Sequence, residues 1–122
     1  MKAVLDTNVL VDYLAGHERA REELSRYRHP RISRITWMEI MVGVAADAAE
    51  EAAVRSFLAD FGVVELTEAV AAQAVRLRRE HRLRLPDAII LASARVEQCQ
   101  LVTRNTRDFK PEWPDIRVPY GR

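Results

Sequence analysis

Cysteine is all but absent from this chain of 122 residues: Cys99 stands alone, and one cysteine cannot close an internal disulfide. It is read as a small core or surface residue in a reducing compartment. Glycine (four) and proline (five) are scarce, and no Gly-rich phosphate loop, low-complexity tract, repeat or linker is visible. His17, His29 and His81 are scattered and, with a single cysteine, offer no zinc-ligand spacing. They read as surface residues. No Ser-centred nucleophile elbow appears. No apolar run approaches the roughly 18 residues of a membrane span, and the first residues do not form a signal peptide. A soluble, cytoplasmic protein with no membrane partner is expected.

Charge of one sign is also lacking. The formal net charge is +1, so no global basic field advertises nucleic acid. Among the 19 basic residues, however, only Lys2 and Lys110 are lysines. Arginine suits bidentate phosphate contact better than lysine does. A GC-rich coding sequence produces the same bias, so composition alone decides nothing here.

What is present is an apolar fraction of 48% in a length that fits one domain, residues 1–122. The order of elements then follows from local pattern. A short apolar run, residues 2–5, ends at Asp6-Thr7-Asn8, three good helix-capping types. It predicts a strand running into a helix over 8–15 that stops at Gly16. Further helices are expected over 18–27, 36–46, 48–60, 67–81 and 86–98, with short strands at 31–34, 62–66, 100–103 and 116–118. The helix at 36 opens on Thr36-x-x-Glu39, a capping-box pattern. In the next helix Ala52, Ala53, Phe57 and Phe61 can share a face, and later Val70, Ala74 and Leu77 point inward. Residues 105–109 read as a turn or short helix. Strands alternating with helices predict an α/β fold with a mostly parallel central sheet. In such sheets ligand chemistry gathers beyond the carboxyl ends of the strands.

Carboxylates stand at those places. Asp6 follows the first strand, Glu39 and Asp87 lie in the first turns of helices, and Asp108, with Asn105, follows the 100–103 strand. Each has a local explanation: a helix N-cap for Asp6, a capping box for Glu39, the helix dipole for Asp87, turn shaping for Asn105 or Asp108. As a set they point elsewhere. Like charges held close raise one another's pKa, and such a cluster is stable in its ionised form around a cation. Hard oxygen ligands suit Mg²⁺ or Mn²⁺, the equipment for hydrolysing a phosphodiester.

Four segments together resemble one family. They are Val4-Leu5-Asp6-Thr7-Asn8-Val9-Leu10, Thr36-Trp37-Met38-Glu39-Ile40 with Gly43 after it, Leu85-Pro86-Asp87-Ala88-Ile89-Ile90-Leu91-Ala92, and Leu101-Val102-Thr103-Arg104-Asn105-Thr106-Arg107-Asp108-Phe109. In order and spacing they resemble PIN domains, with the nearest likeness to VapC-like toxins of type II toxin–antitoxin modules. The resemblance covers essentially the whole chain. It implies a three-layer α/β/α nuclease fold and metal-dependent endoribonuclease activity on single-stranded or looped RNA, leaving a 5′-phosphate and a 3′-hydroxyl. Carried over, Asp6 and Asp87 are the direct ligands of Mg²⁺ (or Mn²⁺). Glu39 is the third acid, binding through water or orienting the attacking water. The fourth acidic position falls by spacing on Asn105, where many relatives carry Asp; Asp108 is three residues on and can substitute or hold the loop. Thr7 and Thr103 resemble positions that place a hydroxyl near the site. An amide at Asn105 removes one negative charge, which favours a single tightly held metal. The resemblance further implies a homodimer silenced by a cognate antitoxin protein.

Residues 76–84 carry five arginines just before Asp87. Arg82 and Arg84 are candidates for RNA phosphate contact, although cations also favour a helix C-terminus. Two other readings compete. A PIN fold without activity would be an RNA- or protein-binding module. A haloacid-dehalogenase-type phosphatase needs Asp-x-Asp, and Asn8 occupies the second position.

Overall fold

The structure is a computed structural model and describes residues 2–44 and 47–121. The elements run β1 (Ala3–Leu5), α1 (Thr7–Leu14), α2 (Glu18–Ser25), β2 (Arg31–Ser33), α3 (Arg34–Val42), α4 (Ala48–Leu58), β3 (Gly62–Val64), α5 (Glu68–His81), α6 (Leu85–Val96), β4 (Gln100–Val102) and β5 (Ile116–Arg117). The strands form one sheet in the order β3-β2-β1-β4-β5. Every pairing is parallel, so the sheet is wholly rather than mostly parallel.

Alternation along the short strands divides the core into two faces. Ala3, Leu5, Ile32 and Val102 pack with Val9, Leu10, Ile40 and Leu58 from α1, α3 and α4. Val4, Val64 and Leu101 pack on the other side with Val70, Ala74 and Leu77 of α5 and the apolar face of α6. The result is three layers, α/β/α, and a central β1 buried on both faces. Among the described residues no helix is long and apolar enough to cross a membrane.

The chain builds outward from β1 to β2 and β3. The α5–α6 pair then returns it to the other side of β1, where β4 pairs residue for residue: Ala3 with Gln100, Val4 with Leu101, Leu5 with Val102. The direction of building therefore reverses between β1 and β4. Their carboxyl ends form the crevice where open α/β sheets bind ligands.

Two expectations are corrected. The third helix does not open at Thr36. Ser33 ends β2 and accepts a hydrogen bond from the Ile35 amide, so α3 starts at Arg34 and Thr36 lies inside it. Glu39 is thus no capping-box partner. The expected end of that helix at Ala46 lies outside the described residues. The inward face of α4 is carried by Val54, Phe57 and Leu58, with Phe61 beyond it, while Ala52 and Ala53 are exposed. Arg82 caps α5 in the left-handed region at φ 56°, its amide bonding the Arg78 carbonyl, as expected of a helix end. Elsewhere the expected elements are present with ends shifted by no more than two residues, and 105–109 forms a turn.

Candidate active site

Asp6 is the first residue past β1. Its amide still bonds Val102 of β4, and its carboxylate caps α1 by accepting from the Thr7 amide at 2.8 Å. The local capping role and a place in the cluster therefore coexist. The other carboxylate oxygen accepts from the Thr103 hydroxyl (2.7 Å) and the Asn8 amide (3.3 Å). Asp6 is 4% exposed. Burial outweighs these donors and, with Asp87 and Glu39 adding repulsion, pushes its pKa up to about 6. A buried carboxylate in this condition favours a proton or a cation beside it.

Glu39 projects from α3 and is fixed by the Thr7 hydroxyl, 2.6 Å from Oε1. Thr7 Oγ1 also lies 3.0 Å from Thr36 Oγ1. A hydroxyl has one proton, so Thr7 gives its own to the carboxylate and takes one from Thr36. Asp87 lies in the first turn of α6, behind Pro86, with its side chain 20% exposed. Burial raises its pKa, and Asp108 and Glu39 raise it further against the opposing pull of Arg84.

Asn105 and Asp108 form one unit. The Asn105 amide nitrogen donates to Asp108 Oδ2 (3.0 Å), and its oxygen accepts from the Asp108 backbone amide (3.1 Å). Asn105 borders the cleft, and Asp108 stands one step behind it. Thr103 is fully buried and also accepts from the Asn105 amide at 2.9 Å, so it links this turn to Asp6.

Asp6, Thr7, Glu39, Asp87 and Asn105 thus line one cleft of about 330 Å³ at the carboxyl ends of β1 and β4. Arg84 borders the neighbouring groove with its side chain 84% exposed; Arg82 lines neither and is exposed on its turn. Sequence reasoning missed Asn8 as a site residue. Its amide bonds Asp6 and Thr103, and its oxygen accepts from the Arg104 amide at 3.2 Å. The Asp-Thr-Asn spelling was the available signal.

The donor set is chemically suited to a hard cation, since every anionic atom facing the cleft is a carboxylate oxygen. Among the described residues no three His, Cys, Asp or Glu side chains stand close enough to cage an ion unaided. Mg²⁺ takes one or two protein carboxylates and fills its other positions with water and substrate oxygens.

Comparison with known proteins agrees with the fold. The PIN domain pattern matches residues 3–110. Ribonuclease VapC10 of Mycobacterium tuberculosis is 34% identical over 97% of this chain and 92% of its own length. A chain of a toxin–antitoxin complex from Klebsiella pneumoniae superposes with a TM-score of 0.91 at 40% identity, covering 98% of this chain and 99% of that one. A chain of DNA-bound VapBC from Salmonella typhimurium gives 0.79 at 27% identity, covering 99% and 98%. A pattern that runs from β1 past Asp108, and a relative matched along nearly its full length, carry one conclusion: this chain belongs to the PIN-domain family.

Proposed function

We propose that this chain is a single-domain, metal-dependent endoribonuclease acting as the toxin of a type II toxin–antitoxin pair. The observation that carries the reading is the buried Asp6, held by three donors and sharing one cleft with Asp87 and Glu39. Asp6 and Asp87 would hold the ion, Mg²⁺ or Mn²⁺. Such an ion lowers the pKa of water and offsets the charge that builds on the phosphate during hydrolysis. Glu39, aimed by Thr7, orients the attacking water and takes up its hydrogen bond. Thr103 and Asn8 keep Asp6 in one rotamer. Asn105 supplies an amide where a further carboxylate would add charge, which favours one ion over two.

RNA, a second copy of the chain and a cognate antitoxin are the proposed partners. The kinship with the ribonuclease VapC10 supports RNA, that with chains from toxin–antitoxin complexes supports the antitoxin, and the second copy is carried over from the family resemblance. The test is cleavage of structured RNAs by the purified chain without antitoxin. Cleavage in Mg²⁺ or Mn²⁺ that stops in EDTA is expected. Folded protein that neither cuts RNA nor binds metal would establish the inactive binding module instead.

Arg84 has a narrower expectation. It lies 4.0 Å from Asp87 and is largely exposed, so it can meet a phosphate arriving at the cleft. In RNA binding, Arg84→Ala should flatten the slope of log affinity against log salt by about 0.7, the value of one lost contact on a single strand. Arg82→Ala serves as the comparison and should change it less. Equal slopes for Arg84→Ala and the parent would remove Arg84 from the interface.

A further inference from the structure

Beside the acidic cleft lies a second groove of about 480 Å³, and three arginines border it: Arg84, Arg104 and Arg107. Arg104, Asn8 and Asn105 line both spaces, so the two are continuous around them. The far wall is the chain's last stretch, Val118, Tyr120 and Gly121.

Arg104 is fixed there at both ends. Its backbone amide donates to Asn8 Oδ1, the same side chain that bonds Asp6. Its Nε–Nη2 edge faces Asp12, with Nη2 donating to Oδ1 at 3.2 Å and Nε 2.5 Å from Oδ2. The Tyr120 hydroxyl donates to Asp12 Oδ2 at 2.9 Å, and the guanidinium lies 5.9 Å from the Tyr120 ring centroid. Asp12 takes one hydrogen bond, from Nη2, while Nε pairs with it by charge alone, without hydrogen-bond geometry. Nη1 has no acceptor among the described residues, although the side chain is 24% exposed. A guanidinium braced on one edge and open on the other is a preorganised donor for an oxyanion. Arg107 is exposed on the adjoining turn and makes no ion pair among the described residues.

We propose that this groove holds a backbone phosphate of the RNA strand next to the phosphodiester in the acidic cleft. Arg104 is the fixed donor and Arg107 the neutralising charge. Asp12 and Tyr120 are positioning residues that aim Arg104. The inference rests on the nuclease reading. It adds a binding site 104–107 and a role for the chain's last residues. A polyanion reaching a cluster of carboxylates needs cations beside it, and this groove supplies them.

The experiment is binding of a labelled single-stranded RNA to the full chain across a salt series, with Ca²⁺ in place of Mg²⁺. Arg107→Ala should lower the salt slope by about 0.7. Arg104→Ala should weaken binding about 10-fold, as for loss of a charge-assisted hydrogen bond, and Arg104→Lys should restore part of it. Tyr120→Phe keeps the arginine but loosens its brace; in cleavage assays KM should rise about 3-fold while kcat holds. Unchanged RNA affinity and slope in both Arg104→Ala and Arg107→Ala would overturn the groove, and so would a parent chain that does not bind RNA. Arg107 is exposed, so its variant remains informative if Arg104→Ala is unstable. Metal-stimulated cleavage by the parent is scored separately: its absence sinks the nuclease reading, whereas unaltered binding in the arginine variants sinks this groove alone.

Discussion

Asp6→Asn should abolish RNA cleavage and yet raise the melting temperature of the metal-free protein. The loss of activity should exceed 100-fold, because removing partners that merely support a metal ligand already costs about 10–100-fold. The gain in stability has a separate origin. Asp6 is buried, and its pKa stands at about 6 instead of 3.8, so keeping it ionised at neutral pH costs the fold about 3 kcal/mol. An uncharged amide avoids that cost. It also loses part of the benefit, since its nitrogen cannot accept from Thr103 or Asn8 as the carboxylate oxygen does. A net gain of about 1–2 kcal/mol at pH 7.5, or roughly 5 °C in Tm, is expected.

The sign with pH follows from the raised value. The parent's Asp6 penalty is absent below about pH 4, where the group is protonated in both folded and unfolded chains. It grows as pH rises through 6. The advantage of Asp6→Asn should therefore appear between pH 4 and 7 and level off above. Adding Mg²⁺ or Mn²⁺ should raise the Tm of the parent and leave the variant nearly unmoved, by simple linkage. A Tm difference independent of pH, or a variant that still cleaves RNA, would refute this account of Asp6.

How much of this was legible before the fold was known depended on the distance over which each residue acts. Asp6 was readable because a buried apolar strand ends at it, and Asp87 because Pro86 marks a helix start beside it. The 70, 74, 77 face of α5 was readable from its spacing. Glu39 lines the cleft, but its local pattern misleads: Thr36-x-x-Glu39 spells a capping box, whereas Ser33 caps first. A cap is decided by where the preceding strand stops, and a three-residue strand blurs that point. The Ala52 and Ala53 reading of α4 failed because alanine fits either face of a helix, while Val54 and Leu58 do not. Asn8 and Arg104 were beyond local reasoning. Their bonds join α1 to the loop after β4, some 95 residues apart, and exist only because β4 lies beside β1. Asn105 and Asp108 divide the two readings: both shape the turn by bonding each other, but only Asn105 lines the acidic cleft.

Glu23→Ala, away from the acidic cleft, should destabilise the fold by about 2–3 kcal/mol. Glu23 is 4% exposed on α2, where it accepts from Tyr27 at 2.6 Å and from both Nε and Nη2 of Arg117 at 2.8 and 3.0 Å. These contacts tie α2 to β5, the edge strand that leads directly into the tail carrying Tyr120. Breaking a covered pair costs more than the pair contributes, because the remaining charge loses its partner; a fully buried pair loses 3–5 kcal/mol. Arg117 retains 28% exposure, so water recovers part of that here. Arg117 and Tyr27 hold the Glu23 carboxyl below its ordinary 4.5 against the opposing effect of burial. Its contribution is therefore present at neutral pH and lost as pH falls below 4.5 through the lowered value. Urea unfolding at pH 7 should show a lower midpoint with an unchanged slope for Glu23→Ala, and the gap from the parent should narrow at pH 3. Glu23→Met with Arg117→Met removes both charges while keeping the bulk, and it should recover most of the loss. If the double variant is as unstable as Glu23→Ala, the orphaned Arg117 charge is not the cause, and the loss belongs to packing between α2 and β5.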